Sequence, residues 1–287
     1  MHILMFPGQG SQYVGMGEEL FPKYDVLCQK ASEKLGYSIL DLCLKDPEDR
    51  LNTTAYTQPA LYFVCCLMYL EHISRGGSAS DPVMGHSLGL FPALYAAGVF
   101  DLLDGLEIVA MRGKLMGEIR GYGMLAVLGD RVDQLDHVLA RLDFFDLDMA
   151  NDNTPSQVVL SGPESRIESV APLLEAQDYR CIRLPVSGAF HSRYMEAPRQ
   201  AFVHFLMGKS FEPPKRLVIS STSGEIIKHT HLLEEITYQL TKPVRWRHTI
   251  QALSEKHGGF TYEEIGPKRV LTNLTQACLM EQGRAAA

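Results

Sequence analysis

The sequence predicts an α/β protein in which a parallel sheet forms the main domain and a smaller subdomain is inserted into it. Strand-like and helix-like segments alternate through residues 1–121 and again from residue 188, a rhythm typical of α/β sheets. Between them, residues 122–187 follow the order β-α-β-β-α-β, which is that of a ferredoxin-like module. We therefore predict a large domain formed by residues 1–121 and 188–282, a small subdomain formed by residues 122–187, and a tail at residues 283–287.

The first part of the large domain contains short apolar strands separated by helices. Residues 2–6 form a buried strand that runs into the turn Pro7–Gln12. Thr57 and Pro59 open a long helix, because Thr57 can cap it and the missing N–H of Pro59 costs little in a first turn. The segments that follow are a strand, a sharp turn and two helices, at Pro82–Met84, Gly85–Gly89, Leu90–Gly98 and about Leu103–Met116.

The small subdomain and the last part of the chain supply the remaining elements. The six elements of the subdomain are predicted at Met124–Leu128, Val132–Leu142, Asp146–Ala150, Gln157–Ser161, Pro163–Gln177 and Tyr179–Val186. Asn151–Pro155 forms a turn-rich loop between two of its strands. The chain then returns to the large domain with a helix at Met195–Met207, a strand at Leu217–Ser221, a further helix, a strand at Phe260–Ile265 and a final helix.

The composition is that of an ordinary globular protein, with 46% hydrophobic and 21% charged residues among 287. The net charge of −7 argues against nucleic acid as a partner, because phosphate binding needs a concentrated basic face. Six cysteines without a C-x-x-C pair indicate a reduced, cytoplasmic protein. The histidines show no metal-ligand spacing, so we expect no metal. We also expect no signal peptide and no membrane span.

The segment Gly85-His86-Ser87-Leu88-Gly89 has the most informative local pattern in the chain. A G-x-S-x-G motif between a strand and a helix is typical of a nucleophile elbow, in which glycines allow a sharp turn around an exposed serine. The N–H of Leu88, at the helix start, then faces any oxyanion that forms. The alternative is a glycine-rich turn with an incidental serine.

A serine needs a base to take its proton, and His191 is the first candidate. It lies in the turn Gly188–Ser192, where the chain passes from the small subdomain back to the large domain, and such junctions often form clefts. His86 is the alternative base, although a residue adjacent to the serine usually points away from it. A surface position for His191 stays open at this stage. No carboxylate stands out as a third member, which leaves a Ser-His dyad.

Two further features could assist the serine. The loop Gly8–Gln12 does not fit a phosphate-binding loop or a dinucleotide fingerprint, so the backbone N–H of Gln9 is a candidate second oxyanion donor. Arg112 lies 25 residues after Ser87 on a predicted helix and could hold a carboxylate with two parallel hydrogen bonds. The alternative for Arg112 is an exposed position on its helix.

An ordered set of segments resembles the malonyl-CoA:acyl carrier protein transacylases of fatty acid and polyketide synthesis, over about residues 3–280. The set comprises Phe6–Gln12, Gly85–Gly89, Arg112, Gly121–Met124, Gly188–Ser192 and Pro243–Trp246. The resemblance implies a hydrolase-like α/β core with a ferredoxin-like insert. The chain begins directly at its first strand, which is similar to discrete, trans-acting members of the family.

The resemblance implies a role for each group around the serine. Ser87 would be the acylated nucleophile and His191 its base. The backbone N–H groups of Gln9 and Leu88 would form the oxyanion hole. The backbone carbonyl of Gln239 matches the group that orients the histidine in the family.

The resemblance also implies how the acyl group is selected. Arg112 would pair with the free carboxylate of a malonyl group, and Gln58 and Asn151 match amides that line the site. We place His86 in the same substrate-binding group. Phe190 matches malonyl-selective members, because methylmalonyl-selective members usually have a serine there. One departure is Leu90-Phe91-Pro92, where many relatives have Glu-Tyr/Phe-Ala.

The expected activity is transfer of a malonyl group from coenzyme A to the phosphopantetheine thiol of an acyl carrier protein, by a ping-pong route and without a cofactor. We expect a cytoplasmic monomer. The alternatives are a serine hydrolase of acyl thioesters and a non-catalytic module that docks a carrier protein. Because carrier proteins are acidic, a local basic patch must receive them, and the candidates are Lys242, Arg245, Arg247, Lys268 and Arg269.

Overall fold

The structure, a computed structural model, describes the backbone of residues 1–285 and the side chains of residues 1–280. It confirms the predicted α/β class. The strands in that range are β1 (His2–Phe6), β2 (Val83–Gly85), β3 (Tyr122–Leu128), β4 (Asp148–Thr154), β5 (Gln157–Pro163), β6 (Arg180–Arg183), β7 (Val218–Ile219) and β8 (Thr261–Glu264). The helices are α1 (Asp25–Leu35), α2 (Ile39–Leu44), α3 (Thr54–Ser74), α4 (Leu90–Ala96), α5 (Leu102–Gly117), α6 (Leu135–Arg141), α7 (Glu164–Glu175), α8 (Glu196–Leu206), α9 (Leu232–Tyr238), α10 (Trp246–His257) and α11 (Val270–Ala285).

The main sheet is parallel, with the strand order β7-β2-β1-β8. Its central strand β1 is buried on both faces, as an apolar strand in a parallel sheet is expected to be. Leu4 and Phe6 face one core, while Ile3 and Met5 face the other. Because Phe6 pairs with Gly85, the turns that follow β1 and β2 leave the sheet side by side at its carboxyl edge. Ligand sites in such sheets lie at this edge.

Helices cover both faces of the parallel sheet. On one face, α3 and α5 pack around buried side chains that include Phe63 and Leu106. On the other face, α10 and α11 contribute Trp246 and Leu271 to a second core. In residues 1–285, no helix is both long enough and apolar enough to cross a membrane.

The second sheet is antiparallel, with the strand order β4-β5-β3-β6 expected for a β-α-β-β-α-β unit. Alternate residues of β3 face opposite ways. Leu125 and Val127 pack under α6 and α7, whereas Met124 and Ala126 join the core of the main sheet. One face of this sheet therefore lies against the larger part of the molecule. We propose residues 122–187 as its subdomain, because the sheet begins at Tyr122 and its last strand ends at Arg183.

Several boundaries differ from the prediction, three of them at places that bear on the site or on the limits of the domains. Helix α3 begins at Thr54, so Thr57 is not its cap, and the Thr57 hydroxyl donates a hydrogen bond to the Leu51 carbonyl at 2.5 Å. Strand β4 continues through Thr154, because its segment predicted as a loop pairs with β5 on one side and with Val244 on the other. The final helix extends to Ala285 and includes the start of the predicted tail, while residues 286–287 lie outside the described range.

Candidate active site

The turn around Ser87 has the strand, sharp bend and helix that the motif predicts. Strand β2 ends at Gly85, a short helical turn spans Ser87–Gly89, and α4 follows. Ser87 has a φ of +51°, in the left-handed region. A Cβ on Gly85 would lie 2.0 Å from backbone atoms of Gly89, and a Cβ on Gly89 would lie 1.9 Å from the Phe6 carbonyl oxygen. Both positions therefore exclude any side chain, which explains the two glycines of the motif.

The Ser87 hydroxyl lies 2.7 Å from Nε2 of His191, so the structure brings these two predicted residues together across 104 positions. On the other side of the ring, Nδ1 of His191 donates to the backbone carbonyl of Gln239 at 2.7 Å. This bond leaves Nε2 as the acceptor for the Ser87 proton. The imidazole is almost fully buried. Burial, together with the positive charge of Arg112, lowers the pKa of His191 from 6.5 to about 3.

The loop that holds His191 is anchored by the second sheet. Ser161 of β5 donates a hydrogen bond to the Phe190 carbonyl at 3.0 Å, and the Ser192 hydroxyl donates to the Ala189 carbonyl at 2.5 Å. His191 itself has a φ of +59°. Hydrogen bonds on both sides of the residue hold this less common backbone conformation in place.

Arg112 lies on α5 and is buried, which rules out the exposed position that the sequence left open. Its Nη1 donates to Oε1 of Gln58 at 2.7 Å, and its Nη2 donates to Oε1 of Gln239 at 3.0 Å and to the Ser87 hydroxyl at 3.2 Å. The guanidinium carbon is 5.4 Å from the centre of the Phe91 ring. Burial lowers the pKa of Arg112 to about 9, so the side chain remains a cation at neutral pH.

Gln239 contacts three members of the site, and only its backbone carbonyl was anticipated from the sequence. Its side-chain Nε2 donates to the Ser87 carbonyl at 2.9 Å, while its Oε1 accepts from Arg112. Phe91 and Met116 were also missed, and Met116 accepts a contact from Nε2 of Gln58 at 3.4 Å. No sequence signal pairs residues that lie 58 to 152 positions apart.

The loop after β1 packs directly against the turn at Ser87. A Cβ on Gly8 would lie 2.6 Å from the His86 carbonyl oxygen, and the His86 N–H donates to the Phe6 carbonyl at 3.0 Å. The Ser11 hydroxyl closes the loop by donating to the Gly8 carbonyl at 2.5 Å. The side chain of Gln9 donates to Thr54 at 3.3 Å. This placement keeps the backbone N–H groups of Gln9 and Leu88 as our candidate oxyanion donors.

The other predicted site residues are His86, Asn151 and Phe190. His86 turns away, because its Nε2 bonds Oδ1 of Asn153 at 3.0 Å and its ring packs on Trp246, so we withdraw it as a base and from the substrate-binding group. Asn151 is buried on β4 beside Val244. Phe190 is buried with its ring over Gly188, where a Cβ would lie 2.4 Å from a ring carbon.

The predicted basic patch is only partly available. Arg247 forms ion pairs with Asp133 at 2.6 Å and Asp152 at 2.9 Å, so its charge is already paired within the chain. Lys268 lies over the Tyr13 ring and donates to the Gln12 carbonyl at 3.1 Å. The other three candidates, Lys242, Arg245 and Arg269, are exposed.

The site combines an elbow serine, a neutral histidine, a backbone turn beside the serine and a buried cation. This combination defines a class of enzyme that forms and breaks acyl-serine esters. The comparison with known proteins specifies that class. A family model described as acyl transferase domain matches residues 3–286. The chain belongs to this acyl transferase family.

Close relatives have names that state a function. The chain is 43% identical over 272 residues to the Polyketide biosynthesis malonyl CoA-acyl carrier protein transacylase PksC of Bacillus subtilis, and the match covers 94% of each chain. It is also 43% identical over 272 residues to the Polyketide biosynthesis protein PksE of the same organism, of which it spans only 35%. A solved malonyl CoA-acyl carrier protein transacylase from Burkholderia pseudomallei superposes with a TM-score of 0.94 at 40% identity, over 98% of both chains.

Proposed function

We propose that this protein transfers a malonyl group from coenzyme A to an acyl carrier protein through an ester on Ser87. The observation that supports the malonyl group most directly is the buried Arg112 cation, which lies within hydrogen-bond distance of the serine. A buried cation at that position favours an acyl group with a carboxylate of its own. The names of PksC and of the solved Burkholderia protein support the same substrates.

In the first half-reaction, Ser87 attacks the carbonyl carbon of the malonyl thioester while His191 takes the serine proton. The hydrogen bond from Ser87 to Nε2 supports this transfer. The N–H groups of Gln9 and Leu88 bind the negative oxygen of the tetrahedral intermediate. The carbon–sulfur bond then breaks, and coenzyme A leaves as a thiol with the proton from His191. The Gln239 carbonyl stabilises the protonated ring through Nδ1.

In the second half-reaction, the phosphopantetheine thiol of the carrier protein takes the place of coenzyme A. His191 removes the thiol proton, the sulfur attacks the ester carbonyl, and Ser87 recovers its proton as the ester bond breaks. The phosphopantetheine is brought by the partner, so the proposed chemistry needs no cofactor of its own.

The cellular setting is proposed on two grounds. The names of PksC and PksE support polyketide assembly as the pathway. The cysteine pattern of the sequence supports a cytoplasmic location.

To test the proposed function, the mass of the intact protein is measured after brief incubation with malonyl-CoA. A phosphopantetheinylated acyl carrier protein is then added, and both proteins are measured again. We expect a gain of one malonyl group, and its passage to the carrier protein faster than its loss to water. Release of free coenzyme A without a stable acyl-enzyme would support the hydrolase. Neither acylation nor release of coenzyme A would support the docking module.

The depressed pKa of His191 predicts a flat pH profile for acylation. With a pKa of about 3, the imidazole of the unliganded enzyme stays neutral between pH 5 and pH 8, so kcat/KM for acylation by malonyl-CoA is expected to vary less than about twofold. A histidine with the ordinary pKa of 6.5 would be mostly protonated at pH 5, and the rate would fall about 30-fold. Rapid-quench measurement of the acyl-enzyme distinguishes the two profiles.

The same pKa has a consequence for stability, which sets the control. The unfolded chain binds a proton at His191 that the native protein excludes, so stability is lost as pH falls below 6.5 towards 3. Circular dichroism at each pH therefore confirms that the rates come from folded protein. A decline in acylation centred near pH 6.5, with the fold intact, would contradict the assignment.

A further inference from the structure

The acceptors around the Arg112 guanidinium are all neutral. Its hydrogen bonds go to the amide oxygens of Gln58 and Gln239 and to the Ser87 hydroxyl, and its nearest ring is Phe91. Among the residues whose side chains the structure describes, no carboxylate forms an ion pair with Arg112. This is unusual, because buried charges are normally paired.

Each amide is fixed so that its oxygen faces the cation. The Nε2 of Gln58 is directed to the Met116 sulfur, and the Nε2 of Gln239 donates to the Ser87 carbonyl. The guanidinium has only donors, so it requires the oxygen of each amide. The two amides therefore hold the guanidinium in one orientation beside the serine without neutralising it.

A glutamate at either position would fit the same space and would bind Arg112 more strongly. A glutamine has the shape and the acceptor oxygen of a glutamate, but no charge. A fixed carboxylate would form a buried ion pair, which would consume the positive charge and repel an incoming carboxylate. Because both acceptors are amides, the buried cation has no counter-ion among the described side chains, a cost to stability that a bound anionic ligand would offset.

We propose that Gln58 and Gln239 are specificity-determining positioning residues, whose neutral amides orient Arg112 while reserving its charge for the carboxylate of the acyl group. Malonyl is then selected over acetyl because the amides orient the cation through Nη1 and Nη2 without serving as its counter-ion. This inference rests on the proposed function, since it concerns the acyl group that Ser87 receives.

The test replaces one amide with its charged equivalent. Gln58→Glu is expected to lower the ratio of malonyl to acetyl loading, measured as kcat/KM from the two coenzyme A thioesters, by about 100-fold or more. The matched control is Gln58→Met, which removes the acceptor without adding charge and is expected to change that ratio less than about 10-fold. Gln239→Glu supplies a second variant: it also loses the hydrogen bond to the Ser87 carbonyl, which lowers loading from both thioesters, but the same fall in their ratio is expected. An equal ratio in the glutamate and methionine variants would overturn the proposal.

A binding measurement separates this inference from the proposed function. Titration calorimetry with free malonate, and with malonamide as the neutral probe, needs no turnover. We expect the wild type and Gln58→Met to bind malonate, and Gln58→Glu to lose at least 10-fold in affinity. If the wild type and the two variants bind malonate with these relative affinities, but the wild type is not loaded from malonyl-CoA, the proposed function fails and the inference stands. If loading occurs but Gln58→Glu keeps both selectivity and malonate affinity, the inference fails alone.

Discussion

Ser87→Ala is expected to reduce malonyl transfer to a carrier protein by about 10⁴-fold or more. The substitution removes the atom that forms the ester, together with the hydroxyl whose proton Nε2 of His191 accepts. Alanine keeps the Cβ, so the left-handed backbone at this position is no more strained than with serine. Steady-state transfer of radiolabelled malonyl to the carrier protein measures the loss.

The control for this variant is a serine with an ordinary structural contact. Ser169 on α7 donates to the Ser165 carbonyl and to no other group among the side chains that the structure describes, so Ser169→Ala is expected to retain transfer within about twofold. Thermal melts of both variants test whether the fold survives. Retention of more than a tenth of wild-type transfer by folded Ser87→Ala would show that another group receives the acyl chain.

The parts of the site that were predictable from sequence depend on local backbone geometry. Gly85 and Gly89 flank the serine because a side chain at either position would collide with backbone atoms within 2.0 Å. Such local constraints produce a short motif that can be recognised in the sequence. The alternation of strands and helices likewise depends on local apolar patterns, and it predicted both sheets. Arg112 and His191 are far from Ser87 in the sequence, so their roles had to be inferred from the resemblance of the chain to a family.

Other features depended on contacts that a linear pattern does not encode. The loop predicted at residues 151–155 is mostly strand because Val244, about 90 positions away, pairs with it. The side chain of Gln239 bonds to Arg112 across 127 positions and to Ser87 across 152. His86 is adjacent to the serine in sequence, yet its extended backbone directs its ring to Asn153. Proximity in sequence was therefore misleading for His86 and uninformative for Gln239.

Arg112 and His191 are electrostatically linked, which connects substrate selection to the chemical step. After burial, the charge of Arg112 is the largest influence that lowers the pKa of His191. When a malonyl carboxylate pairs with Arg112, that charge is offset and the histidine becomes a stronger base. An acetyl group provides no such compensation. The substrate with the carboxylate is thus expected to be both bound more tightly and activated more effectively.

Arg112→Ala is expected to lower kcat/KM for malonyl loading by about 10³-fold, because a buried charged partner is removed from the malonyl carboxylate. Acetyl loading is expected to fall less than about 10-fold, since the acetyl group makes no ion pair and His191 is released from a neighbouring cation. Loading of Ser87 from both thioesters, followed by intact-protein mass, gives the two rates.

Arg112→Lys is the matched control, because it keeps a cation but loses the planar fork, and its malonyl loading should lie between those of the wild type and Arg112→Ala. An equal loss for malonyl and acetyl in folded Arg112→Ala would assign Arg112 to maintaining the site rather than to selecting its substrate.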